Sequence, residues 1–125
     1  MGDMQTINKD LTFKTLKVSK KEKEKIGEFV KRIKEEFKGE ILHIFLFGSF
    51  ARNEFKEDSD IDILIVLKRK NLRIVEKIYE INTEIYLKYG GAPISLKIFD
   101  KKHYEFIKKM KTEFFKNLKK EKISL

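Results

Sequence analysis

The sequence predicts a small layered domain of the α/β (α+β) class, in which a mixed sheet of about three strands is flanked by helices in the order α-β-α-β-α-β-α. Two seven-residue runs, 41–47 and 61–67, are apolar apart from His43 and Asp62. They are too short for typical helices and read as strands buried on both faces. Longer segments repeat apolar residues at helical spacing. The two patterns alternate along the chain, which places helices against a short central sheet.

Residues 1–18 carry Leu11, Phe13, Leu16 and Val18 in a partly alternating pattern, read as an N-terminal arm or short edge strand. Residues 19–125 are read as one domain, with no internal repeat or linker. Ser19 caps a helix predicted to run to about Lys38, with Ile26, Phe29, Val30, Ile33 and Phe37 on one face and Gly39 as the stop. Its Lys/Glu face is read as solvated, with Glu24 and Glu28 pairing with lysines one turn away. After the strand 41–47, Gly48 ends the apolar run, a short helix covers Ser49 to about Phe55, and a loop, 56–59, leads to the strand 61–67. Asn71 caps a helix in which Ile74, Ile78, Ile81, Ile85 and Tyr89 form the buried stripe, and Gly90-Gly91 ends it. A strand over 94–99 alternates apolar residues with Ser95 and Lys97. Asp100 caps one last helix whose buried face is Ile107, Met110, Phe114, Phe115 and Leu118. The tail from Lys119 to Leu125 is basic.

The chain has 125 residues, 41% of them hydrophobic, which suits one domain with a real core. With no cysteine, disulfides and thiolate metal sites are excluded, and a reducing compartment fits. No apolar stretch approaches the roughly 20 residues of a membrane span, and the N-terminus lacks a signal-peptide apolar region. A cytoplasmic protein is the expectation. The net charge of +9 has two readings: attraction to acidic partners such as nucleotides or nucleic acid, or the lysine-rich surface of a thermophile. The lysines are spread over several helices, and with no recognised RNA-binding module nucleic acid ranks as the weaker partner.

The informative residues lie between the two buried strands. Gly48 lets backbone approach a ligand closely, and Ser49 opens a helix whose free N–H groups would favour phosphate. A lone Gly-Ser pair also marks ordinary turns. Asp60 and Asp62 stand two apart at the head of a strand, so both carboxylates point to one side. They repel unless a cation joins them, and Mg²⁺ takes one or two carboxylates plus phosphate oxygens and water. The alternative is a solvated strand end, yet aspartate is depleted in buried strands.

Phe47-Gly48-Ser49-Phe50-Ala51-Arg52 followed by Asp58-Ser59-Asp60-Ile61-Asp62-Ile63-Leu64-Ile65-Val66 resembles the signature of the DNA polymerase beta-type nucleotidyltransferase superfamily. More narrowly, it resembles the minimal nucleotidyltransferases, or MNT proteins. The resemblance implies a nucleotidyltransferase fold and a Mg²⁺-dependent transfer of a nucleoside monophosphate, AMP from ATP, to a hydroxyl. It implies nucleotide binding at Gly48, Ser49 and Arg52, and catalysis and metal binding at Asp60 and Asp62. Arg52 reads equally as a surface ion-pair partner of Glu57 or Asp58. MNT proteins often pair with a helical HEPN-type toxin, so an antitoxin role, with a partner tyrosine as acceptor, is implied as well; a homodimer is a further expectation.

One departure stands out. The superfamily carries a third carboxylate on a later strand, and the matching strand offers Ser95 and Lys97, with Asp100 on the opposite parity. The third ligand is therefore missing, at Ser95. The alternative function is a nucleotide-binding or partner-neutralising module with weak or no catalysis. His43 is read as a satisfied core residue, and Tyr79, Tyr86 and Tyr89 as a core or interface edge rather than a base-stacking platform.

Overall fold

A computed structural model describes residue 13 and residues 15–125. The order is α1 (Lys20–Glu36), β1 (Ile41–Phe47), α2 (Gly48–Ala51), β2 (Ile61–Leu67), α3 (Leu72–Tyr89), β3 (Ile94–Asp100), α4 (Lys101–Lys109), α5 (Glu113–Glu121) and β4 (Ile123–Ser124). The arm or edge strand expected over 1–18 lies mostly outside the described residues. Residues 15–18 form no strand, and Leu16 and Val18 are buried.

The helix starts follow the expected chemistry. Ser19 Oγ accepts from the Glu22 N–H at 3.1 Å, Asn71 Oδ1 from Arg73 and Ile74, and Asp100 Oδ1 from His103 at 2.7 Å. Each satisfies an N–H that has no partner within its helix. The single last helix expected after Asp100 is two helices. Lys111 adopts a left-handed φ of 51° and Thr112 caps a new start, its Oγ1 accepting from Phe115 at 3.1 Å. The apolar spacing runs through this break, so periodicity alone did not show it. Met110, expected on the buried face, is exposed in the turn.

The sheet has four strands in the order β3-β2-β1-β4, one more than expected. β1 pairs antiparallel with β2 and with β4, and β2 pairs parallel with β3 through the α3 crossover. β4 is only two residues of the basic tail. Ile123, buried opposite Leu46, holds it in place, as does the Leu125 N–H on the Ile44 carbonyl at 2.9 Å. Strand parity sorts the side chains into two cores. Ile44, Leu46, Ile61, Ile63, Ile65 and Leu67 face α1 and α3. Phe45, Phe47, Leu64 and Val66 face α4 and α5. β2 is thus buried on both faces, as expected. The first half of β1 departs from that reading: Leu42 and His43 are exposed, so His43 is not a core residue. Its ring stacks on Phe45 at 5.2 Å, and the partial desolvation of the ring there, with the Lys122 charge, lowers its pKa.

The polar face of α1 is more than a solvated surface. Lys25 is 1% exposed; its Nζ donates to the carbonyls of Gly90 (2.8 Å) and Ala92 and pairs with Glu22 at 2.7 Å. Glu22 in turn accepts from the Ala92 N–H at 3.1 Å. This cluster pins the α3–β3 turn to α1. Glu28 pairs across helices rather than one turn along its own, with Lys88 at 2.7 Å and Tyr89 at 2.9 Å. Tyr79 and Tyr86 are half exposed on α3, while Tyr89 packs on the core. No helix among the described residues is long and apolar enough to cross a membrane.

Lys25→Ala strips a buried carboxylate and two carbonyls of their partner and is expected to cost about 2–4 kcal/mol in chemical denaturation. The hydrogen bonds from Lys88 and Tyr89 hold Glu28 below its ordinary value of 4.5. A depressed carboxylate stabilises the fold above that value and loses the effect as pH falls through the lowered one. Glu28→Gln is therefore expected to cost about 0.5 kcal/mol at pH 7, with the wild-type and variant denaturation midpoints converging in acid.

Candidate active site

The site forms where β1 ends, α2 begins and β2 starts. Phe47 pairs with Asp62 across the antiparallel ladder, so the backbone turning at Gly48 passes beside that aspartate. Gly48 has φ +75°, a conformation that L side chains rarely adopt. A Cβ on Gly48 would overlap Asp62 Oδ2, with Cγ at 3.1 Å and Cβ at 3.3 Å. The carboxylate therefore sits directly on the glycine backbone, an approach that no other residue type permits.

Parity sets which groups gather there. Asp62 shares the face of Leu64 and Val66, toward α4 and α5. On the parallel neighbour, Ser95 lies opposite Asp62, and Ser95 and Lys97 share the parity of Phe99, which packs on that same face. Asp60 is exposed just before β2, where the Ile61 N–H bonds the Pro93 carbonyl at 2.9 Å. The Asp62 pKa is raised, first by burial and then by the Asp60 charge, with a further push from Glu121; Lys97 and Arg52 oppose the rise. Two like charges thus act on one partly buried carboxylate.

Glu121 was not singled out from the sequence. It ends α5, 73 residues from Gly48, yet Oε1 accepts from the Gly48 N–H at 3.1 Å and Oε2 pairs with Arg52 Nη1 at 2.8 Å. Arg52 also pairs through Nε with Glu54 at 2.9 Å, and these two hydrogen bonds raise its pKa. Its ion-pair partners are therefore Glu54 and Glu121, rather than Glu57 or Asp58. In sequence, Glu121 is one acid in a Lys/Glu-rich helix and carries no local signal. Ser49 lies in α2, half-buried, its carbonyl accepting from the Glu54 N–H at 2.9 Å. The helix is shorter than expected, ending at Ala51.

The nucleotidyltransferase domain family matches residues 11–125. The chain belongs to that family.

Three curated relatives of this nucleotidyltransferase domain come from Methanocaldococcus jannaschii, each named a "putative protein adenylyltransferase". One is 42% identical over 69 residues, 55% of this chain and 65% of the relative; another is 40% identical over 65 residues, 51% of this chain and 66% of the relative. These matches span less than two thirds of the relatives' own length. A crystal structure named a "putative nucleotidyltransferase", from Sulfolobus solfataricus, is similar over 81% of this chain and 76% of its own, with 19% identity and a TM-score of 0.46.

The donor set suits a small hard cation. Among the described residues, no cluster of three or more His, Cys, Asp or Glu side chains is arranged to hold a metal ion. Mg²⁺, however, needs only one or two carboxylates when phosphate and water fill the remaining positions. Asp60 and Asp62 are the two that could hold one, and the burial of Asp62 with the nearby Asp60 charge is what a cation would relieve. A groove of about 320 Å³, lined in part by Phe50, Phe55, Lys56, Asp58 and Pro93, borders the loop that leads to Asp60. A larger hollow of about 550 Å³ lies between α1 and Leu125, away from both aspartates; its size alone gives it no chemistry.

Gly48→Ala is expected to destabilise the fold by about 1–3 kcal/mol, through the positive φ and the overlap with Asp62. Pairing it with Asp62→Ala should recover part of that loss in a double-mutant cycle. Because the Asp62 pKa is raised, its ionisation opposes folding: the penalty is absent below its ordinary value of 3.8 and grows as pH rises through the folded value. Asp62→Asn is thus expected to melt at a higher temperature than wild type at pH 7, with the gain vanishing near pH 3.

Proposed function

We propose that the chain transfers AMP from ATP to a hydroxyl on a partner protein. The observation that carries this reading is the Asp62 carboxylate seated on the positive-φ Gly48, with Arg52 held at the same turn through Glu121, which also accepts from the Gly48 N–H. That geometry brings a carboxylate, a side-chain-free turn and a cation to one point, which polyphosphate chemistry needs. The family match and the relatives' adenylyltransferase names support the same reaction class. A protein acceptor follows from those names; a HEPN-type helical protein is the partner that the signature implies.

In this reading Gly48 and Ser49 lay backbone along the triphosphate, and Arg52 neutralises phosphate oxygens. Asp60 and Asp62 would hold Mg²⁺, which when bound offsets the charge that develops as pyrophosphate leaves. The acceptor oxygen bonds to the α-phosphorus as the bond to pyrophosphate breaks, and the hydroxyl proton passes to solvent. The chain's contribution is placement and fixed electrostatics.

A second reading has its own observation. Ser95 lies directly opposite Asp62, where the family signature implies a third acid, and the next residue on that face is Lys97. A site with two acids binds nucleotide and turns it over slowly, or only binds it.

Both readings are tested by incubating the protein with α-labelled ATP, Mg²⁺ and the product of its neighbouring gene. Label transfer is expected, falling by at least about 100-fold in Asp60→Ala and Asp62→Ala. Binding of Mg·ATP without transfer would favour the second reading. No binding by a folded protein would refute both. Ser95→Asp is expected to raise transfer if the missing acid limits the rate.

A further inference from the structure

We propose that Glu121 is an internal plug: its carboxylate holds the place of a nucleotide phosphate, so binding of a triphosphate must displace the Glu121 side chain from the site. This rests on the proposed nucleotide site and adds its regulation.

Both Glu121 oxygens are engaged by groups assigned to phosphate, Oε1 by the Gly48 N–H at 3.1 Å and Oε2 by Arg52 Nη1 at 2.8 Å. The side chain is 16% exposed, whereas Glu54, the other carboxylate on Arg52, is 67% exposed. The placement has no local cause. Glu121 is the last residue of α5, where an acid opposes the helix dipole, and its charge adds to the repulsion on Asp62. What offsets these costs is the anion seat itself.

The segment around Glu121 is anchored on both sides. Leu118 is buried one turn earlier, the Lys122 ammonium sits 4.5 Å from the centre of the Phe45 ring, and Ile123 is buried on β1. The carboxylate is therefore presented at high effective concentration. A phosphate competes with it for the Gly48 N–H and is repelled by its charge, while Arg52 is already divided between Glu121 and Glu54.

The test is calorimetric titration of Mg·ATP, and of inorganic tripolyphosphate, into the full chain and into Glu121→Ala and Glu121→Gln. Melting curves establish that each is folded, and Glu121→Gln covers the case in which the alanine variant is not. Removing the charge is expected to tighten binding of both probes about three- to tenfold, the weight of a partly exposed ion pair. Unchanged affinity would overturn the plug and leave the nucleotide site standing. Weaker binding would also overturn it, by making Glu121 part of the ligand shell. No binding by any folded form would overturn the nucleotide site and the plug with it.

Discussion

The carboxylate of Asp62 rests against the backbone of Gly48, and that contact is possible only because position 48 carries no side chain and accepts φ +75°. The rest of the site follows from it. The β1–β2 ladder fixes the approach by pairing Phe47 with Asp62, so the turn and the acid arrive together rather than by independent loop placement. Rigid strands on both sides hold the geometry.

The scaffold makes this contact affordable. A partly buried aspartate with a like charge nearby is unfavourable, and the surrounding layers outweigh it. β2 is buried on both faces apart from Asp62 itself, with α1 and α3 closing one side and α4 and α5 the other. Breaking the last helical stretch at Lys111–Thr112 is part of the same solution. The break lets Phe114 meet Phe47 edge-on at 5.6 Å while α5 ends beside Gly48. A straight helix through residues 101–121 would carry its far end along a single axis, away from one of these two contacts.

Electrostatically, the site is a balance of acids and bases drawn from distant parts of the chain. The charges of Asp60 and Glu121 act against Asp62, and those of Lys97 and Arg52 offset them. Such an arrangement favours an incoming group that carries both charge signs, as a cation-bound polyphosphate does. The net charge of +9 adds long-range attraction for anions but does not single out the site, since its lysines are dispersed over the helices.

The sequence by itself determined the elements whose causes are local. Ser19, Asn71 and Asp100 cap because a side-chain oxygen reaches an N–H two or three residues on, and the apolar stripes of α1 and α3 record a period of 3.6. It also placed Gly48-Ser49 and Asp60-x-Asp62 between two apolar runs, in a signature that resembles the nucleotidyltransferases, the family to which the chain belongs. Only the tertiary structure decided what depends on remote neighbours. It paired Ile123 with Leu46 to make a fourth strand, exposed His43 at an uncovered strand end, buried Lys25 under the Gly90–Ala92 turn, and brought Glu121 onto Gly48 and Arg52. The reason is physical: a charged residue in a Lys/Glu-rich helix looks the same in sequence whether it meets water or a partner 73 residues away. Only packing of the layers distinguishes the two.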